Sequence, residues 1–256
     1  MSIIIKSNEE VALMREAGRI TLKVLNTVVA SVRAGMRTDE LDAIAEKETK
    51  KYAGAVPSFK GYRGYPANLC VSVNDEIVHG IPGKRILQEG DIVSIDFGVI
   101  YKGFQGDCAR TVGVGDISPA AARLIQTTSG ALKAGIAAAH RGARLGDITA
   151  AIEAYAEPKG YSVVREYTGH GIGRQMHEDP QIPNTTKSTL GLVKGTGPVL
   201  QKGMTFAVEP MVNMGSWETK VDDNMWTVRT RDGSLSAHFE DTIVITDAEA
   251  EILTSV

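Results

Sequence analysis

Two aspartates, Asp96 and Asp107, stand inside the stretch IVSIDFGVIYKGFQGDCARTV, where apolar and small residues alternate. Aspartate is disfavoured in strand interiors. The stretch reads as two strands joined by a tight turn. Val93, Ile95 and Phe97 alternate with Ser94, Asp96 and Gly98, and extended character resumes from Cys108 to Val112. Lys102-Gly103 and Gln105-Gly106 supply the turn residues. A hairpin centred between Tyr101 and Lys102 sets the two carboxylates opposite each other, about 5 Å apart. Ionised carboxylates at that distance repel, so one binds a proton or a cation sits between them. Taken alone, the stretch is equally compatible with a solvated hairpin whose aspartates mark the turn.

Three further places put an acid or an imidazole into apolar context. His170 lies among glycines in TGHGIG, where glycine leaves room for a metal or substrate to approach the backbone. Glu209 is the single carboxylate of FAVEPM, and Glu240 lies in AHFEDTIV. Each alone reads as a strand-end charge paired with a lysine or arginine. Together, Asp96, Asp107, His170, Glu209 and Glu240 put four acids and one imidazole on predicted strands or strand ends of both halves. A packed interior holds that much negative charge only with a compensating cation. Oxygen-rich ligation with one nitrogen argues against a structural zinc site. It suits two divalent ions such as manganese, iron, cobalt or zinc. Two such ions lower the pKa of a shared water and clamp the attacking and carbonyl oxygens, which makes hydrolysis the natural reaction.

The elements that must hold these residues can be read along the chain. Ser7-Asn8-Glu9-Glu10 has the form of a capping box, and Val11, Met14, Ala17, Val24, Leu25, Val28 and Val32 recur at helical spacing up to Gly35. A second helix follows Thr38, with Asp39 and Glu40 in its first turn and Leu41, Ile44 and Ala45 inward. From Tyr62 to Pro82 the chain is rich in Gly and Pro, with a strand at Leu69 to Val73 and a turn at Asn74-Asp75. Ser118-Pro119 opens a third helix that runs to about Arg141-Gly142. Leu145 to Glu157 makes a fourth, stopped by Pro158 and Gly160. His140 reads as a cap that complements the third helix's dipole.

The second helical pair echoes the first at an offset of 107: Gly35 corresponds to Gly142, Arg37 to Arg144, Leu41 to Ile148, Ala43 to Ala150 and Glu46 to Glu153. Two copies at so long a period are not a solenoid. They predict two similar α+β halves, about 8–115 and 116–256, facing each other across a site. Strands are expected at Ser162 to Thr168, Thr205 to Met211, Lys220 to Arg229 and His238 to Thr246. The segment 184–201, NTTKSTLGLVKGTGPVLQ, reads as a surface loop. No linker marks a boundary, so 1–256 is expected to be a single domain.

Composition narrows the class. With 256 residues, 43% of them hydrophobic, the chain suffices for a large core. A net charge of −3 gives no electrostatic case for nucleic acid or an anionic membrane as partner. Cys70 and Cys108, the two cysteines, are far apart and form neither a disulfide framework nor a CxxC zinc site. Cys108, next to Asp107, is expected to face the opposite side of its strand as inert core. The apolar run in MSIIIKSNEE is too short for a signal peptide, and no run approaches membrane-spanning length. A soluble, reduced, cytoplasmic protein is expected.

Five segments carry a resemblance. YRGYPANLCVSVNDEIVHGIP, the hairpin DFGVIYKGFQGDCART, EYTGHGIGRQMHEDP, FAVEPM and FEDTIVIT are together similar to type I methionine aminopeptidases, over essentially the full length. The resemblance implies the α+β pita-bread fold: pseudo-twofold duplicated halves with a central curved antiparallel sheet covered by helices. It implies a metalloaminopeptidase that removes the initiator methionine of nascent proteins when the second residue is small and uncharged, using water activated by two divalent metal ions. Asp96 would hold one ion, His170 and Glu209 mainly the other, and Asp107 and Glu240 would bridge. His79, in VHGIP, would contact the scissile amide region. His177, seven residues after His170, would donate to the carbonyl oxygen and the tetrahedral intermediate, and Glu209 would move the proton.

Tyr62, Tyr65, Cys70 and Trp226 resemble the family's methionine-binding wall, whose polarizable lining suits a thioether. Met176 stands in that wall where the family commonly has an aromatic. His238, two residues before Glu240 and expected on the same strand face, stands where the family more often has glutamine. The resemblance further implies one monovalent cation near Asn74, Glu76 through its backbone and Ser236. The resemblance also implies N-terminal-Met peptides as substrates, a transient ribosome contact and a monomer. It leaves no zinc-finger extension before Ser7 and no large helical insertion. Two other readings stand beside it: a proline-directed peptidase of the same fold, which usually carries a separate N-terminal domain, and a non-catalytic pita-bread binding module, in which ligands are usually lost.

Overall fold

A computed structural model describes residues 2–255; Met1 and Val256 lie outside it. Among the described residues the helices are α1 (Asn8–Ser31), α2 (Thr38–Thr49), α3 (Pro119–Ala138) and α4 (Leu145–Ala156). The strands of the first half are β1 (Ala55–Pro57), β2 (Cys70–Val73), β3 (Glu76–Val78), β4 (Ile92–Tyr101) and β5 (Phe104–Gly113). Those of the second are β6 (Ser162–Val163), β7 (Thr168–Gly171), β8 (Glu178–Pro183), β9 (Thr205–Val208), β10 (Met211–Asn213), β11 (Thr219–Val221), β12 (Val228–Thr230), β13 (Ser236–His238), β14 (Glu240–Val244) and β15 (Glu251–Ile252). No helix among the described residues is long and apolar enough to cross a membrane.

Local chemistry accounts for the helix starts. Ser7 Oγ accepts the Glu10 N–H at 3.2 Å while the Glu10 carboxylate takes the Ser7 N–H at 3.0 Å, closing the expected capping box on α1. Ser118 Oγ accepts the Ala121 N–H at 3.1 Å at the head of α3. α2 and α4 share a half-box. The Arg37 N–H donates to Glu40 at 2.7 Å, and the Arg144 N–H to Asp147 at 2.8 Å. α1 stops at Ser31, short of Gly35, because Val32 turns extended and packs onto the first core. His140 does not cap α3, since its ring lies 3.2 Å from the Arg141 carbonyl instead.

The repeat is visible in backbone bonds. Gly35 N–H donates to Leu87 O at 2.8 Å, and Gly142 N–H to Leu200 O at 3.0 Å. Leu87 N–H returns to Met36 O and Leu200 N–H to Ala143 O, both at 2.8 Å. Residues 198–200 thus repeat the role of 85–87, and Leu200 is fully buried. Only the middle of the 184–201 segment behaves as the expected surface loop. Its start is also tied down: Glu153 Oε2 accepts from Thr185 Oγ1 at 2.8 Å and Thr186 Oγ1 at 2.7 Å, and Asn184 Nδ2 donates to Glu209 O at 3.1 Å. Glu153→Ala is expected to lower unfolding free energy by about 2 kcal/mol, because it strands buried Thr185 and removes charge-assisted bonds. Urea denaturation measures this; an unchanged midpoint contradicts the anchoring.

The main sheet runs β1-β4-β5-β14-β9-β7-β8, with β2 added on β4 and β15 on β14. Its pairs are antiparallel. One face is covered by helices in two separate cores. Val93, Ile95, Phe97 and Cys108 pack with Leu25, Val28 and Leu41. Phe206, Val208 and Ile243 pack with Leu132, Ile148 and Ile152. The halves meet where β5 pairs with β14, Glu240 lying opposite Ala109 and Asp241 opposite Cys108.

Several expected strands are broken, and the breaks shape the site. Thr205 to Met211 divides at Glu209-Pro210, since proline offers no N–H to the ladder. His238 to Thr246 divides at Phe239, whose N–H reaches Pro210 O at 3.3 Å. The two breaks face each other. On one side β9 pairs with β14 in the main sheet; on the other β10 pairs with β13 in a smaller one, which β6 joins. Lys220 to Arg229 is the hairpin β11–β12, not one strand, and Ser162 to Thr168 holds only the short β6 before β7 begins.

Candidate metal centre

The sheet order explains why five distant residues meet. Asp96 lies on β4, Asp107 on β5, Glu240 on β14, Glu209 just past β9 and His170 on β7, which are consecutive neighbours. Directly opposed residues share a face. Asp96 opposes Ala109, which opposes Glu240; His170 opposes Ala207, two residues before Glu209. All five side chains therefore leave the face away from the helices, while Cys108 faces the helical core as expected, with its thiol pushed up by burial.

The hairpin register differs from the expectation. Lys102 and Gly103 both have positive φ, 48° and 81°, so they form the two-residue loop themselves. Asp96 therefore opposes Ala109, and Asp107 opposes Gly98, which makes the aspartates diagonal rather than facing neighbours. On the other edge Asp96 opposes Cys70. The glycines around His170 also serve another purpose than the one expected. A Cβ at Gly169 would meet Ala207 O at 2.4 Å, and one at Gly171 would meet Asp179 O at 2.2 Å. They let neighbouring strands close onto β7, rather than opening space for a ligand.

One cavity of about 150 Å³ collects the predicted residues: Tyr62, Tyr65, Cys70, His79, Asp96, Asp107, His170, Met176, His177, Glu209, Trp226 and Glu240 all line it. Phe59 and Arg63 line it too; Arg63 lies within the YRGYPANLC segment, but nothing in the sequence gives either residue a role in the site. Donor atoms of Asp107, His170 and Glu240 lie within 4.8 Å of one another, as do those of Glu209, His238 and Glu240. Asp96 Oδ1 and Glu240 Oε1 are buried without a hydrogen-bond partner.

Among the described residues no lysine or arginine pairs with the four carboxylates. Arg110, on the neighbouring strand position, spends its guanidinium on the Glu240 main-chain oxygen at 2.6 Å and on Asp241 at 2.7 Å. Burial raises the pKa of Asp96, Glu209 and Glu240 well above the ordinary carboxylate value, and neighbouring carboxylates raise them further. Burial pushes Asp107 up to about 7. The donor set, the unpartnered oxygens and the missing counter-charge fit a divalent metal.

The walls are specific. Tyr65 Oη donates to Gly80 O at 2.9 Å, and its ring meets Trp226 edge-on at 5.1 Å. His79 is held at φ 60°, a strained conformation for a side-chain-bearing residue, with its ring edge toward Tyr167 and Trp226. Tyr62 does more than line the wall: its hydroxyl lies 2.9 Å from His177 Nδ1 and its ring stacks on that imidazole at 5.5 Å. His177 in turn lies 4.2 Å from the His170 ring. Burial lowers His79 and His170 to about 4 and His177 to about 3, so all three are neutral at pH 7.

A sequence profile of metallopeptidase family M24 matches residues 12–247. The chain belongs to metallopeptidase family M24. Its M24 relatives include a methionine aminopeptidase of Clostridium perfringens, 50% identical over 254 residues, 99% of each chain. Another, from Clostridium acetobutylicum, is 49% identical over 98% of each chain. A methionine aminopeptidase structure from Thermotoga maritima superposes with a TM-score of 0.95 at 43% identity, covering all of both chains. The M24 pita-bread fold thus agrees with the two half-repeats traced above. His238 departs from expectation. It belongs to β13 rather than to the strand of Glu240, yet its Nε2 reaches 3.6 Å from Glu209 Oε2.

Proposed function

We propose that this chain is a methionyl aminopeptidase. It removes the N-terminal methionine of nascent proteins when the following residue is small and uncharged. The observation that carries this reading is a set of buried carboxylates without counter-charge at the floor of a cavity sized for one side chain and walled by Tyr65, Cys70 and Trp226. The ligand set is divided between the halves, which favours reading 1–256 as one catalytic domain.

Asp96, Asp107, His170, Glu209 and Glu240 would hold two divalent ions, which would supply Lewis-acid polarisation and a nucleophilic water at neutral pH. The remaining work falls to the chain. The methionine thioether packs against Tyr65, Cys70, Trp226 and Met176, with Phe59 closing the wall. His79 orients the scissile amide. Glu209 takes the water's proton and returns one to the leaving amine. His177 donates from Nε2 to the carbonyl oxygen as charge develops on it. That role needs the proton on Nε2; Tyr62 Oη lies 2.9 Å from Nδ1, placed to donate to it in that tautomer. For the monovalent cation, the supporting feature is that Ser236 N–H joins Asn74 O at 2.9 Å beside the unpartnered Asn213 Oδ1.

Tyr62→Phe is expected to lower kcat roughly tenfold, about 1.4 kcal/mol, with KM nearly constant. A rise in KM at constant kcat contradicts the tautomer role and returns Tyr62 to the binding wall. The function itself is tested by cleavage of Met-Ala-Ser after chelation and re-addition of manganese, iron, cobalt or zinc. Turnover of Xaa-Pro peptides but not of Met-Ala-Ser sinks the proposal.

A further inference from the structure

We infer that His238 is a sixth protein ligand of this centre, sharing one divalent ion with Glu209 and Glu240. The inference rests on the metallopeptidase reading and extends it. The Glu209 carboxylate stands between two imidazoles: Oε1 lies 3.4 Å from His170 Nε2, and Oε2 lies 3.6 Å from His238 Nε2. Both separations are too long for hydrogen bonds. Both match two donors held by one ion. Atoms about 2.1 Å from an ion, at a tetrahedral or wider angle, lie roughly 3.4–3.7 Å apart. Donor atoms of Glu209, His238 and Glu240 lie within 4.8 Å of one another, a group equivalent to the one that Asp107 and His170 form with Glu240.

His238 has nothing else to do there. Its side chain is 2% exposed, and Nε2 is buried without a partner. Such a nitrogen costs free energy unless something occupies it. The backbone is fixed from the opposite half. Thr111 Oγ1 accepts the His238 N–H at 2.9 Å and donates to His238 O at 2.8 Å. Residues 238 and 240 reach the same carboxylate although the break at Phe239 puts them in different sheets.

A glutamine at this position would offer an amide, a poor ligand for borderline metals. A second imidazole makes the donor set softer and shifts preference from manganese toward cobalt, iron and zinc. The full-length protein, stripped and reloaded with two equivalents of cobalt(II), provides the test. Metal-bound imidazoles give hyperfine-shifted ring N–H proton resonances that vanish in D₂O. Two are expected in the wild type and one in His238→Gln, with His170→Gln losing the other. In competition dialysis His238→Gln should lose cobalt affinity by roughly 10–100-fold and manganese affinity by less. X-ray absorption on the wild type needs no variant and should count two imidazoles over the two cobalt ions. One resonance, one imidazole and an unchanged His238→Gln spectrum overturn the inference and make His238 a positioning residue for Glu209. Failure to bind cobalt at all, read separately by metal analysis, overturns the metallopeptidase reading and this one with it.

Discussion

Asp107→Asn is expected to abolish turnover while leaving the fold intact. Asn keeps the size of Asp and one of its oxygens, which accepts the Cys108 N–H at 3.1 Å. The backbone of Asp107 is held independently, since its N–H donates to Thr242 Oγ1 at 3.0 Å and its carbonyl accepts from the same hydroxyl at 2.8 Å. Circular dichroism should therefore be unchanged. What disappears is one anionic oxygen from the group formed with His170 and Glu240. An amide oxygen is a weaker ligand, and a shared carboxylate is the hardest to replace. A loss of roughly a thousandfold or more in kcat is expected, about 4 kcal/mol of transition-state stabilisation. Metal content should fall in parallel. His170→Ala should behave alike, because it removes the only other donor of that group besides Glu240. Full turnover in either variant after chelation sinks the metal mechanism. Full turnover with metal retained shows instead that Asp107 is not a shared ligand.

Much of this centre was legible because aspartate and glutamate inside apolar strands are rare without a reason. Asp96, Asp107, Glu209 and Glu240 announce themselves in that way. The helices were legible too, since Ser7, Ser118, Glu40 and Asp147 make local bonds that depend on neighbours in sequence. Where the reading slipped, the deciding contact was distant or a matter of one dihedral. The hairpin centre moved by one residue because Lys102 adopts a positive φ that glycine usually takes. Pro210 is a local break signal inside the apolar run Thr205 to Met211, but the sheet the chain joins after it is set by distant partners, β13 and β6. Phe59 and Arg63 reach the cavity only through the path of the loop before β2. Glycine is ambiguous by nature: around His170 it signalled close approach, but the approaching group is another strand. His238 stands out by its identity and by its place two residues before Glu240; its approach to Glu209, 3.6 Å from Nε2 to Oε2, is a tertiary contact.

The same charge cluster should make the metal-free protein lose stability as pH rises above about 6.5. Two sets of buried groups compete. His79 and His170, lowered to about 4 by burial, and His177 and His238, lowered to about 3, are neutral in the fold but charge near 6.5 when unfolded. Their contribution is present above about 6.5 and is lost as pH falls toward 4. Asp96, Glu209 and Glu240 are raised well above the carboxylate range, and Asp107 up to about 7. These groups keep protons in the fold that the unfolded chain releases near pH 4. Their cost to stability therefore begins above about pH 4 and grows until each folded pKa is passed. Between about 4 and 6.5 the two sets oppose and the profile is flat. Above 6.5 the imidazoles are neutral in both states and only the carboxyls act. Each one still protonated removes on the order of 1 kcal/mol per pH unit. Bound metal reverses the sign, because it favours ionised carboxylates in the fold and its binding releases protons. The melting temperature in chelator should fall from pH 6.5 to 8.5. The upward shift on adding manganese should grow over the same range, reaching about 2.7 kcal/mol once free metal is a hundredfold above its Kd. A chelated protein that becomes more stable across this interval, or a metal shift that does not change with pH, means that the carboxyl cluster does not carry uncompensated charge.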